Sequence, residues 1–119
     1  MKPLTKAEEQ LMQVLWKTGP GFLKAIVEAC EEPRPHSNTV ATLLKILAEK
    51  GYVDVDPQGR NNLYKARISR EDYGRKSIQQ VVKGYFDGSP ALLVTQLLLD
   101  NKISLEELDL ITNGFRKKI

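Results

Sequence analysis

SNTVATLLKILAEKGY, residues Ser37 to Tyr52, is the stretch from which the rest of the chain is read. Val40, Leu43, Leu44 and Leu47 recur at steps of three and four, the period of one helix face at roughly 100° per residue. Gly51 supplies the stop. On the other side stand Asn38, Ala41, Thr42 and Lys45, and no acid appears before Glu49. A solvent-facing helix ordinarily mixes Glu with Lys, for solubility and for pairs three or four residues apart. This face lacks the mixture, so something besides water is expected to meet it.

The flanking segments supply the context. Thr5-Lys6-Ala7-Glu8 fits a capping box opening a helix to about Thr18, with Ala7, Leu11, Val14 and Leu15, and beyond it Ala25, as the apolar frame. Gly19-Pro20-Gly21 stops it. A second short helix is expected from about Leu23 to Cys30, burying Ile26, Val27 and Cys30, and Glu31-Glu32-Pro33-Arg34-Pro35 cannot continue it. Ser37 is expected to cap the third. After Gly51, Tyr52-Val53-Asp54-Val55-Asp56 and Asn62-Leu63-Tyr64-Lys65-Ala66-Arg67 alternate around the turn Pro57-Gln58-Gly59-Arg60-Asn61, which reads as a hairpin. The expected fold is mainly α with a small β-hairpin: a winged helix-turn-helix domain over residues 1–68, followed by a helical dimerisation region over 69–119.

That tail carries its own start signals, Ser69-Arg70-Glu71-Asp72 and Ser104-Leu105-Glu106-Glu107. Between them Ile78, Val81, Val82, Tyr85 and Phe86 repeat at helical steps, and Ala91 to Leu99 is apolar nearly all round. One small domain cannot cover such a segment on every side. A second copy related by a two-fold axis can, so a homodimer centred on Leu92, Leu93, Leu97 and Leu98 is expected.

Eighteen basic and fifteen acidic residues leave a net charge of only +3, so bulk charge does not argue for a nucleic-acid partner. Its placement does. Pro33 to Ala48 holds Arg34 and Lys45 with no acid, and Pro57 to Ser69 holds Arg60, Lys65 and Arg67 with none. Asn and Thr bond base edges or phosphates, Ala and Thr methyls meet a thymine methyl, and Lys reaches phosphate or guanine. Glu or Asp on the same face would oppose a phosphate-rich wall. Asn38, Thr39, Ala41, Thr42 and Lys45 on the third helix, with Arg60 and Lys65 on the hairpin, are therefore the candidate contacts to double-stranded DNA. The competing reading is a winged-helix module that uses the same helix to contact a partner protein.

Other chemistry finds no carrier. One cysteine, Cys30, and one histidine, His36, make neither an internal disulfide nor a four-ligand zinc site, and no cofactor motif is present. Cys30 and His36 are separated by two prolines and lack an orienting third group, and the acids form no catalytic pair, so no enzyme activity is expected. Trp16, beside Leu11, Met12 and Leu15, reads as core rather than as a stacking platform. The N-terminus has no apolar run and no stretch approaches the roughly 20 apolar residues of a membrane span. A cytoplasmic protein without membrane insertion is expected.

Leu4-Thr5-Lys6-Ala7-Glu8, Val14-Leu15-Trp16-Lys17 and Asn38 through Val53 together resemble the penicillinase repressor family, over residues 4 to about 100. The resemblance implies a winged-helix repressor that binds an inverted-repeat operator as a homodimer, with Asn38, Thr39, Thr42 and Lys45 in the recognition helix, Arg60 in the wing and the C-terminal helices forming the dimer. Many relatives place arginines where this chain has Ala41 and Ile46, so the family's base preference does not carry over. The family's β-lactam-responsive branch is relieved when a membrane-bound antirepressor protease leads to cleavage at an Asn-Phe bond in the dimerisation helices; the matching place here is Gln96-Leu97. Its copper-responsive branch ends in a cysteine-rich motif, and the tail here, Asn113 to Ile119, has no cysteine.

Overall fold

A computed structural model describes residues 2–118. The first helix, α1 (Lys6–Thr18), starts at the expected capping box: Thr5 accepts from the Glu8 N–H at 3.2 Å and the Glu8 carboxylate accepts from the Thr5 N–H at 2.8 Å. A two-residue strand, β1 (Gly21–Phe22), leads directly into α2 (Leu23–Ala29), with Cys30 at its C-cap. Then follow α3 (Ser37–Glu49), β2 (Val53–Gln58) and β3 (Asn61–Ala66). The tail comprises α4 (Arg70–Tyr85), α5 (Pro90–Leu99) and α6 (Leu105–Lys118).

Leu11, Met12 and Leu15 of α1, Ile26 of α2, and Val40, Leu44 and Leu47 of α3 form one buried core with Tyr52, Val53 and Ile68. Ala7 and Ala25, expected in the apolar frame, are exposed instead. Trp16 belongs to the margin of this core: its indole N–H donates to the Ile68 carbonyl at 2.9 Å, and its ring lies 5.5 Å from that of Tyr73. Tyr52 meets Tyr73 edge-on at 6.0 Å. The first turn of α4 is thereby fastened to α1, and backbone contacts divide the chain at Tyr73/Gly74, inside that helix.

The three strands form one antiparallel sheet in the order β1-β3-β2. β1 was not legible as a strand, since two residues carry no periodicity; it exists because Gly21 and Phe22 pair with Tyr64 and Leu63. The hairpin turn is shorter than its composition implies. Gln58 pairs with Asn61, leaving only Gly59 and Arg60 in the turn, with Gly59 at φ +62°. Pro57 sits in β2, where an edge strand has no ladder partner on its other side to demand its missing N–H.

The tail unit behaves differently. In α4 only Val82 is buried, and neither α5 nor α6 buries any residue. Ser89 caps α5, accepting from the Leu92 N–H, ahead of Pro90 in the first turn. Ser104 and Glu107 form a second capping box at the start of α6. No helix among the described residues is long and apolar enough to cross a membrane.

Candidate nucleic-acid interface

The third helix is held by its apolar face and released on the other. Val40, Leu44 and Leu47 are fully buried and Leu43 half-buried, whereas Asn38, Thr39, Thr42 and Lys45 are exposed. Ala41 is half-buried: it sits roughly 70° from the centre of the outward face at about 100° per residue, near the seam with the core. Thr42 Oγ1 donates to the Asn38 carbonyl at 2.9 Å. His36, not Ser37, occupies the N-cap position and its side chain makes no capping bond, so the expected Ser37 cap is corrected by one residue: Ser37 already has helical geometry.

The far end of α3 is closed by its backbone. Gly51, at φ +88°, donates to the Ala48 carbonyl at 3.1 Å and Tyr52 donates to Leu47 at 2.9 Å, a Schellman arrangement that turns the chain into β2. Lys50 lies beside this turn. Its ammonium sits 2.6 Å from the Glu8 carboxylate and donates to the Pro3 carbonyl at 3.0 Å, while Tyr52 Oη donates to the Lys2 carbonyl. Glu8 is only 3% exposed. Burial alone would raise its pKa, yet the hydrogen bond from Lys50, those from Thr5 and the Lys50 charge together hold it below the usual 4.5. Burial also pushes the Tyr52 hydroxyl up. The N-terminal segment, α1 and the end of α3 are thus tied at one point, a tie that sequence reasoning missed because the partners lie 42 residues apart.

The hairpin is less cationic in space than along the chain. Lys65 lies opposite Asp54 in the strand register, and Arg67 pairs with Asp54 at 2.6 Å. Residues directly opposite share a face, so Asp54 and Asp56 balance Lys65 and Arg67 on one side of the sheet. The acid-free segment from Pro57 to Ser69 therefore has much of its charge offset by the neighbouring strand, and Lys65 faces a strand that carries acids. Arg60, at the exposed turn, makes no ion pair among the described residues. Arg34 is engaged by Glu32 at 3.6 Å, just outside the acid-free window that precedes α3.

Cys30 is half-buried and engaged by its own helix. Its thiol donates to the Ile26 carbonyl at 3.3 Å, and burial raises its pKa against a smaller opposing effect of Arg34. On the tail, Leu92 and Leu97 are 45% and 36% exposed, while Leu93 and Leu98 are half-buried. The Gln96-Leu97 peptide lies inside α5, with the Gln96 carbonyl accepting from the Asp100 N–H at 2.9 Å.

Three helices, a short strand and a β-hairpin, with an outward face on the third helix that carries no acid before Glu49, define a winged helix-turn-helix protein. The chain belongs to the penicillinase repressor family, whose model matches residues 4–116. It is similar to the penicillinase repressor of Bacillus licheniformis, at 23% identity over 107 residues covering 89% of this chain and 84% of that protein. It is also similar to the methicillin resistance regulatory protein MecI of Mammaliicoccus sciuri, at 22% identity over 116 residues covering 97% and 94%.

Proposed function

We propose that this protein is a transcriptional repressor that binds an inverted-repeat operator in double-stranded DNA as a homodimer. The observation that carries the reading is α3: a helix anchored by three fully buried residues that turns Asn38, Thr39, Thr42 and Lys45 outward with no acid among them. Such a face fits the major groove, where a carboxylate would oppose phosphate. Arg60 reaches the DNA backbone from the turn of the wing. Ala41 contributes at the margin of the recognition face, and Lys65 adds little because Asp54 stands opposite it.

The homodimer is supported by a tail that leaves Leu92, Leu97, Leu99, Leu110 and Phe115 exposed within one copy. Leu92, Leu93, Leu97 and Leu98 lie at its centre. Repression is relieved by cutting near Gln96-Leu97, downstream of a membrane-bound antirepressor protease, which splits one bivalent contact into two weak ones. Because that peptide is hydrogen-bonded within α5, the cut requires the last turns of the helix to open first. Chain length under inducing conditions, followed by immunoblot, tests this: substitution of Gln96 and Leu97 should abolish both the fragment and induction, and normal induction with an intact chain refutes it.

The balanced charge of the hairpin face favours the second reading, a protein-interaction module. Salt separates the two. Titrating the full chain with duplex DNA at increasing salt should give a linear fall of log affinity with log salt, with a slope of about −0.9 for each phosphate neutralised. A flat response, or no binding, favours the interaction module.

A further inference from the structure

The outward face of α3 contains no guanidinium, no carboxylate before Glu49 in its last turn and, at Thr42, no spare donor. The Thr42 hydroxyl hydrogen is engaged with the Asn38 carbonyl, so the side chain turns a methyl and oxygen lone pairs outward. Ala41 adds a second methyl at the edge of the same face. The Asn38 amide is exposed and makes no hydrogen bond among the described residues, leaving both donor and acceptor available. Lys45 is the one cation on this face.

Each base pair presents a distinct pattern in the major groove, and its one apolar feature is the thymine C5-methyl group. Guanine offers two acceptors suited to Arg or Lys, and cytosine offers a donor suited to a carboxylate. Adenine offers an adjacent donor and acceptor suited to a carboxamide. Paired methyls next to a free carboxamide therefore match thymine and adenine. From Asn38 to Lys45 the helix advances about 10 Å at 1.5 Å per residue, against about 3.4 Å per base pair, so the face covers about three pairs.

We infer that α3 selects A·T pairs at the centre of each operator half-site, the Thr42 and Ala41 methyls meeting thymine C5-methyl groups and the Asn38 amide bonding adenine. Lys45 marks the outer edge of the read sequence. The inference rests on the proposed reading that α3 enters the major groove.

The test uses the full chain and a duplex that it enriches from a random pool. Replacing thymines by uracil one at a time removes only the C5-methyl, and fluorescence anisotropy reads the affinity. At one or two positions in each half-site, affinity should fall about three- to five-fold, the equivalent of one buried methyl. Thr42→Ser, which keeps the hydroxyl, should erase that difference; Thr42→Val, which keeps a methyl, should retain it. Salt-sensitive, sequence-specific binding that is indifferent to every uracil substitution, or enrichment of G·C at the half-site centre, overturns the inference alone. So does the reverse pattern, with discrimination lost in Thr42→Val and kept in Thr42→Ser, because the hydroxyl would then be the reader. A chain that enriches no sequence and binds without salt dependence overturns the DNA reading together with this one.

Discussion

Thr42, Lys45 and Arg60 are all exposed polar residues, yet their surroundings assign them different tasks. Thr42 is held against its own helix by a hydrogen bond, whereas Arg60 stands on a two-residue turn with no ion-pair partner among the described residues. Arg60→Ala should weaken binding to all sequences alike and reduce the salt slope by about one, measured by anisotropy across a salt series. Lys65→Ala should move that slope less, since Lys65 shares its side of the sheet with Asp54 and Asp56. Glu8 invites a different test. Its pKa is lowered on folding, so the stability it contributes is full above the unfolded value of 4.5 and is lost as pH falls through the lower folded value. Glu8→Gln should cost about 1.5–3 kcal/mol at pH 7 in urea denaturation, the worth of a hydrogen bond to a charged group. The gap from the parent protein should narrow below pH 4.5, and a gap that stays constant into that range would show that Glu8 is not the titrating partner of Lys50.

Among the elements, α3 has neither end closed by a capping side chain. Its N-terminus has no side-chain cap and its C-terminus relies on Gly51 at φ +88°. A Cβ at that position would meet only the Arg67 guanidinium at 3.9 Å, so the penalty for substitution is conformational rather than steric. Gly51→Ala should destabilise the winged helix by about 1–2 kcal/mol, read from the shift in a thermal melt. Leu44→Ala, at the centre of the core face, should cost about 2–5 kcal/mol through the cavity it leaves. Both variants should lose DNA binding only in proportion to unfolding, which distinguishes scaffold positions from Thr42.

For the whole molecule, the contrast between the two units carries the prediction. The first unit encloses a contiguous core, and the second leaves Leu92, Leu99, Leu105, Leu110 and Phe115 exposed in a single copy. Exposed apolar surface of that kind favours association, and association couples stability to concentration. Truncation after Phe86 should abolish dimer formation in light scattering and reduce operator affinity in the same preparation. A monomeric full-length chain at tens of micromolar would refute the dimer.

Much of the molecule was determined by local rules acting within a few residues. The α1 capping box, the stop at Gly51, the apolar stripe Val40-Leu43-Leu44-Leu47 and the starts at Ser69 and Ser104 are all short-range patterns, and each appears in the fold. The exposed identity of Asn38, Thr42 and Lys45 followed from helix period alone. What tertiary structure decided involves partners distant in sequence. β1 exists only by pairing with β3, and the Glu8–Lys50 tie and the Trp16–Ile68 hydrogen bond join residues 42 and 52 positions apart. The charge of the hairpin changed its apparent meaning for the same reason: an acid-free run of sequence says nothing of the strand beside it, and Asp54 and Asp56 from β2 offset what Lys65 and Arg67 would otherwise present. Periodicity specifies which face of an element is apolar; only packing specifies which other residues stand within the few ångströms over which charges and hydrogen bonds act.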